Sequence, residues 1–316
     1  MARYVLQRIF AAIPLLVFMS FVVFSFIHLA PGRPETLLTG GRPVDEATLA
    51  ALRLRYHLDQ PFFVQYVDWL RGALRGDFGE SFAYKDTVSS VVGGRIAPTL
   101  ELAGFATIIV LAAGVPAGVL AAVRRNSIVD GTLSLGALVL SSAASYISGI
   151  LLIIVFATWL NWFPVFGLGT GTIDRVYHLT LPAFALAGSL TALVMRVTRA
   201  SMADVLTSEH IETARSRGFS EWRVVGKHAL RNALVPVLTV GGLAAGYLIS
   251  GAVLVEYTFG LNGLGSLLVT AVLEKDFPVV QAITLLFTAS FIAINIVVDV
   301  LYGIVDPRIR LRGGIA

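Results

Sequence analysis

Hydrophobic and polar positions along the 316-residue chain change over on the scale of whole helices rather than single turns. Six stretches, at 9–27, 102–123, 132–158, 179–195, 233–255 and 277–298, carry no Asp, Glu, Lys or Arg over 19, 22, 27, 17, 23 and 22 residues. A hydrocarbon core about 30 Å thick takes roughly 20 residues of helix to cross, and no backbone group can stay unpaired inside it. The pattern therefore predicts an all-α integral membrane protein with six transmembrane helices. The third is read as one long span and the fourth as the shortest. Arg3 and Arg8 precede the first stretch as they would a signal peptide, but the apolar run is long for a signal core and Pro31 suits cleavage poorly, so a retained helix is expected.

Charge sets the expected orientation. With six spans, one face holds fourteen Lys and Arg: Arg3, Arg8, Arg124, Arg125, Arg196, Arg199, Arg215, Arg217, Arg223, Lys227, Arg231, Arg308, Arg310 and Arg312. The short loops of the other face hold only Arg175 and Lys275, and its long segment is too long for the positive-inside rule to act on. Both termini are expected in the cytoplasm. The chain then divides into a cytoplasmic start and first helix at 1–30, an extracytoplasmic subdomain at 31–95, a membrane core at 96–303 and a cytoplasmic tail at 304–316.

Two polar segments stand out. In the external one, residues 45–58 have a helical pattern, and Phe62, Phe63, Tyr66, Trp69 and Leu70 recur at spacings that line one helix face. Such a face rests on the membrane or the bundle, or docks an external partner. Trp159, Trp162 and Phe163 follow the third stretch, where indoles favour the headgroup layer. The pairs Gly114/Gly118 and Gly242/Gly246 are spaced for close helix packing.

The cytoplasmic segment 196–232 is far longer than a connection requires. Residues 203–217 favour a helix, Gly218 suits a left-handed cap, and Ser220 can start a second helix through Trp222, Val225 and Leu230. Glu212 stands beside the small Thr213 and Ala214, and Arg215 and Arg217 place positive charge before the turn. The product is a compact knob suited to a groove on another protein.

These residues carry a resemblance. HIETARSRG at 210–218 followed by HALRNALVP at 228–236 resembles the cytoplasmic EAA loop of type I ABC importer permeases, closest to the dipeptide/oligopeptide/nickel family. Arg8, Pro31-Gly32, GDFGES at 76–81 and PTLEL at 98–102 are similar to that family's amino-terminal half. Glu256, Phe259, Gly263 to Gly265, DFPVV at 276–280 and DPRIR at 306–310 are similar to its last loop and tail. Arg33, His210, Asn262 and Thr213 depart from the usual Asp, Tyr, Pro and Ala. The resemblance implies a type I permease core with an external insertion after the first helix. It also implies a second, homologous permease, two ATP-binding subunits, an extracytoplasmic substrate-binding protein and a lipid setting. Glu212, Thr213, Ala214, Arg215, Arg217 and Gly218 would couple to the ATPase, and ATP and Mg would sit on partner subunits, with no cofactor or metal on this chain. Peptides are the expected cargo; nickel or another small solute is the alternative.

Composition narrows the rivals. Hydrophobic residues make up 56% of the chain and charged ones 14%, which excludes an ordinary soluble domain. There is no basic patch interleaved with aromatics, so nucleic acid is not an expected partner. Cysteine is absent, removing disulfides, thiolate metal sites and a cysteine nucleophile. No phosphate loop of the Gly-x-x-x-x-Gly-Lys-Ser/Thr type occurs, since Gly226-Lys227 runs into His228. An ion-coupled secondary transporter would place carboxylates or histidines at mid-span. Here the carboxylates that adjoin the apolar runs, Glu101, Glu256, Asp276 and Asp299, all stand at run ends, and Glu101 and Asp299 are read as structural or interfacial groups. A membrane hydrolase would need convergent catalytic residues inside the spans, and none is evident. Polar groups available to a pathway are Ser141, Ser145 and Tyr146 in the third stretch and Tyr247 and Ser250 in the fifth.

Overall fold

The computed structural model describes residues 2–29, 44–55, 60–81 and 83–305. The expected motifs at 31–33 and 306–310, and the tail from 306 onward, lie outside them, as do residues 56–58 of the expected helical pattern. The described residues are almost entirely helical, with one isolated β-bridge between Glu80 and Thr87.

Helix α1 (Ala2–Leu29) leads to the short helices α2 (Glu46–Arg55) and α3 (Phe62–Leu74), then to α4 (Val88–Val123). Helices α5 (Ile128–Ser142) and α6 (Ser145–Leu152) follow, the latter running into a π-helical stretch at Ile153–Trp159. Helix α7 (Thr172–Leu206) returns across the bundle to α8 (Glu209–Ser216). A single turn, α9 (Glu221–Arg223), a π-helical stretch (Val224–Ala229) and α10 (Leu230–Thr258) form one continuous rod. Helices α11 (Leu264–Leu273) and α12 (Phe277–Val305) complete the described chain.

Five helical rods are long and apolar enough to cross a membrane, and the bent pair α5–α6, counted as one span, makes a sixth candidate. The all-α, six-span expectation therefore stands, with two revisions. The third stretch is not one straight span: it breaks at Ala143 and Ala144, both in extended backbone, and its halves meet at 103°. No proline or glycine marks the break. The hydroxyls of Ser141 and Ser142 instead bond back to the Leu138 carbonyl at 2.9 and 2.7 Å, a local bond that bends helices. The fourth stretch, shortest in the sequence, lies in a 35-residue helix with the best-covered surface of the bundle. Its polar ends hid the length, because Thr172–His178 and Arg196–Leu206 continue the helix beyond the apolar run.

Helix α7 is the hub. It packs along α4 and α10, and the main core joins Leu102, Val110, Leu186, Val194, Leu248, Val255 and Phe259 from the three helices. Close approach is paid for in side-chain size, as the spacing predicted. A Cβ on Gly118 would lie 2.5 Å from the Thr198 Cβ, and one on Gly242 would lie 2.2 Å from Val298. Two of the carboxylates next to the apolar runs form ion pairs: Glu101 with Arg175 at 2.8 Å and Asp299 with Arg8 at 3.0 Å. In α3, Phe62, Tyr66 and Trp69 stack on Phe21 and Phe24 of α1, and the Tyr66 hydroxyl bonds Ser20 Oγ at 2.8 Å, so this face rests on the bundle. Phe63 keeps a largely exposed ring.

Motifs scattered along the chain converge in space. Ser81, from GDFGES, donates to Asp276 Oδ2 at 2.5 Å, and the Ala83 amide adds a second bond at 3.2 Å. Glu256, fully buried, accepts from Thr99 Oγ1 at 2.6 Å and from the Gly265 and Ser266 amides at 2.7 and 3.2 Å. The Thr99 oxygen in turn accepts from the Leu264 amide at 2.8 Å. The carboxylate thus occupies the amino-terminal end of α11 and ties it to α4 and α10, where free amides favour an anion.

Candidate functional site: the loop between the fourth and fifth spans

The expected helix at 203–217 is interrupted at Thr207 and Ser208. Thr207 Oγ1 bonds the Asp204 carbonyl at 2.9 Å and Ser208 Oγ bonds Val205 O at 2.5 Å, ending α7 and letting the chain turn into α8. The carboxyl end of α8 follows the expectation closely. Gly218 has φ +77°, its amide bonds Arg215 O at 2.9 Å, and the Phe219 amide reaches back to Ala214 O at 3.3 Å. This is the paired-bond Schellman cap, which needs a residue at ease in the left-handed region. Ser220 opens the next helix from extended backbone, but that helix proves to be the start of the fifth rod.

Helix α8 is two-faced. Ile211 and Ala214 pack inward with Met202, Val224, Ala229 and Ala233, so Ala214 anchors the knob to the bundle and is not displayed. Glu212, Thr213, Arg215, Arg217 and Gly218 are exposed. Thr213 spends its hydroxyl on Glu209 O, at 2.9 Å. Arg215 bridges to Glu221 through Nε at 2.8 Å, bracing α8 against α9. Among the described residues, Glu212 and Arg217 form no ion pair, leaving one free carboxylate and one free guanidinium on the display face. His210 is held between Ser208 Oγ and Asn232 Nδ2 at 2.9 and 3.1 Å. Sequence reasoning placed Trp222 in the second helix without assigning it a contact. The structure leaves it 87% exposed beside the Arg215–Glu221 brace, a large apolar side chain with no cover on the chain.

The pathway candidates fall into two groups. Ser141, Ser145 and Tyr146 flank the α5–α6 break, Tyr146 being exposed. Tyr247 and Ser250 lie on an exposed face of α10 with Leu243, Leu254 and Tyr257; Tyr247 meets Phe291 edge-on and Ser250 bonds Tyr247 O at 3.2 Å. No hydrogen bond joins the two groups among the described residues.

A bundle of broken and continuous spans around one central helix, with an anchored polar knob at one end, defines a membrane-embedded transport component. The comparisons agree. Residues 114–311 match the family described as binding-protein-dependent transport system inner membrane component, and residues 1–103 match its amino-terminal companion. The chain belongs to this family. It is 40% identical over 312 residues to the glutathione transport system permease protein GsiC of Escherichia coli (strain K12), covering 99% of this chain and 100% of that protein. The GsiC of Salmonella choleraesuis (strain SC-B67) is equally similar, at 40% over 312 residues. Among solved structures, the fold resembles the MetNI methionine ABC transporter in inward-facing conformations. One crystal form gives a TM-score of 0.57 at 17% identity, covering 68% of this chain and 96% of that one, and another gives 0.54. The protein is thus a permease component of an ABC importer, integral to the inner membrane.

Proposed function

We propose that this chain is one of two homologous permease subunits that form a membrane pathway for peptides, loaded by an extracytoplasmic binding protein and driven by two separate ATP-binding subunits. Peptide as cargo rests on the relatives named for glutathione, itself a small peptide. ATP and Mg belong to the partner subunits, and this chain acts through shape and motion without hydrolysing anything itself. Its termini and the α8 knob are cytoplasmic, 31–95 is the external subdomain, and 96–303 is the core that pairs with the second permease.

The observation that carries this reading is the construction of the knob. Ile211 and Ala214 lock α8 into the bundle, and the Schellman cap and the Arg215–Glu221 brace fix its far end. Glu212, Thr213, Arg217 and Trp222 are thereby presented on a rigid support. Force applied there passes directly into α7 and α10, the two helices the knob connects. Nucleotide binding closes the ATPases, draws the two knobs together and shifts the permease pair toward its outward-open state. The shift equals the difference in nucleotide affinity between the two states.

The test is reconstitution with the cognate ATPase, second permease and binding protein. Loaded binding protein should raise ATP hydrolysis and drive uptake of peptide. Glu212→Lys or Gly218→Trp should abolish uptake while leaving the chain in the membrane. Unimpaired uptake in both variants refutes the coupling assignment, and uptake by this chain alone without nucleotide refutes the importer reading.

A further inference from the structure

Arg196 points the wrong way for an interfacial arginine. It lies just past the apolar part of α7, where a long cation ordinarily snorkels outward to headgroups and water. Side chains lean toward the amino terminus of their helix, and on α7 that direction leads into the membrane. The Arg196 Nη2 atom donates to Ser141 Oγ at 2.5 Å and approaches Ala137 O at 3.5 Å.

The depth of Ser141 can be read from the packing of α5 on α7. At the end of the span, Asp130 is bonded by Arg199 through Nε and Nη2 at 2.5 and 2.7 Å. Further in, Ala137 packs with Ala192 and Met195, and Leu140 Cδ2 lies 3.7 Å from where a Cβ on Gly188 would stand. Gly188 is near the middle of the α7 apolar run. Ser141 is eleven residues beyond Asp130, or about 16 Å along the helix. The guanidinium is therefore held on the apolar side of the Arg199–Asp130 pair, against the apolar run of α7 and next to the break between α5 and α6.

No carboxylate meets it there. The nearest acid on α5, Asp130, has both oxygens engaged by Arg199, and among the described residues Arg196 makes no ion pair. Nε–H and both Nη1 hydrogens remain unengaged on an exposed side chain. An unpaired cation at that depth is untenable against lipid, and stands only where it lines water or meets an anion. Helices broken at mid-membrane are where transport proteins build binding sites.

We infer that Arg196, positioned by Ser141, is a carboxylate-binding subsite in the translocation pathway, taking the terminal carboxylate of the peptide as it passes the α5–α6 break. The planar guanidinium fork matches a carboxylate at two points. This rests on the proposed peptide-import function.

The absence of cysteine from this chain permits a direct test in the importer assembled with cysteine-free versions of its partner subunits. Ser141→Cys, and independently Ser142→Cys, is exposed to an anionic and a cationic methanethiosulfonate (sulfonatoethyl and trimethylammonioethyl), each rate normalised to that reagent's rate with a free thiol. The expected result is an approximately tenfold preference for the anionic reagent, from one unit charge a few ångströms away. Arg196→Gln should erase the preference and Arg196→Lys should retain it. Millimolar alanyl-alanine should slow labelling, and alanyl-alaninamide should not. If both cysteines are inert to both reagents, the groups face protein or lipid and the inference falls. It falls equally if the preference is absent, if it survives Arg196→Gln, or if acid and amide protect alike, as they would were the partner permease's carboxylate the true counter-ion. ATP hydrolysis stimulated by loaded binding protein is measured on the unsubstituted complex, so loss of the import reading is seen separately from loss of the subsite.

Discussion

Replacing Glu256 by Ala tests how α4, α10 and α11 are joined. The carboxylate is fully buried and accepts three hydrogen bonds, from Thr99 Oγ1 and from the Gly265 and Ser266 amides. Alanine takes the acceptor from three donors: the buried Gly265 amide, the partly buried Ser266 amide and the Thr99 hydroxyl, which keeps only a long bond of 3.4 Å to Arg95 O. Each costs about 1–3 kcal/mol, and partial access of water to the vacated volume places the total at about 3–6 kcal/mol. At roughly 2 °C per kcal/mol for a chain of this size, the thermal midpoint in detergent should fall by about 6–12 °C. Glu256→Gln keeps an acceptor for the two amides and places an NH2 toward Thr99, whose oxygen can accept it, so it should lose less than half as much. Thr99→Val strands the Leu264 amide, and combined with Glu256→Ala it should cost clearly less than the sum of the two, because both act on one network. The assay is fluorescence-detected size exclusion after heating, with Glu274→Ala, at an exposed site, as the baseline. A midpoint for Glu256→Ala within 2 °C of that baseline would refute the latch.

Gly118→Leu should sharply reduce folded protein recovered from membranes, since the new Cβ would lie 2.5 Å from the Thr198 Cβ and 2.6 Å from Met195 O, with no flexible neighbour to yield. Gly218→Ala forces a Cβ into φ +77° and should cost about 1 kcal/mol, read as a small drop in midpoint and a partial loss of binding-protein-stimulated ATP hydrolysis. Arg199→Met should destabilise more than the Arg199→Met/Asp130→Asn pair, because the single change strands a well-covered carboxylate; equal midpoints would show the ion pair to be idle. Trp222→Ala should weaken capture of the ATPase subunits in pull-down without moving the midpoint, as expected for an apolar anchor that is 87% exposed.

Local chemistry made much of this protein legible in the chain itself. Runs without charge fixed the number of crossings, because hydrocarbon excludes unpaired backbone and charge alike. Gly218 announced its cap three residues after Arg215, since few other residues accept that backbone conformation. Four-residue glycine spacing foretold tight packing, and Thr198, Val298 and Phe291 are what those glycines admit. The tertiary structure decided the rest. The break at Ala143–Ala144 has no proline or glycine to betray it, and depends on Ser141 and Ser142 folding back beside α7. Glu256 finds Thr99 across 157 residues and Ser81 finds Asp276 across 195, distances over which no periodicity carries information. Arg196 counted as one more basic residue at the end of a span. Only the packing of α5 against α7 shows that its charge reaches back to Ser141 at the α5–α6 break, because side-chain direction belongs to the assembled bundle and is invisible in the order of residues.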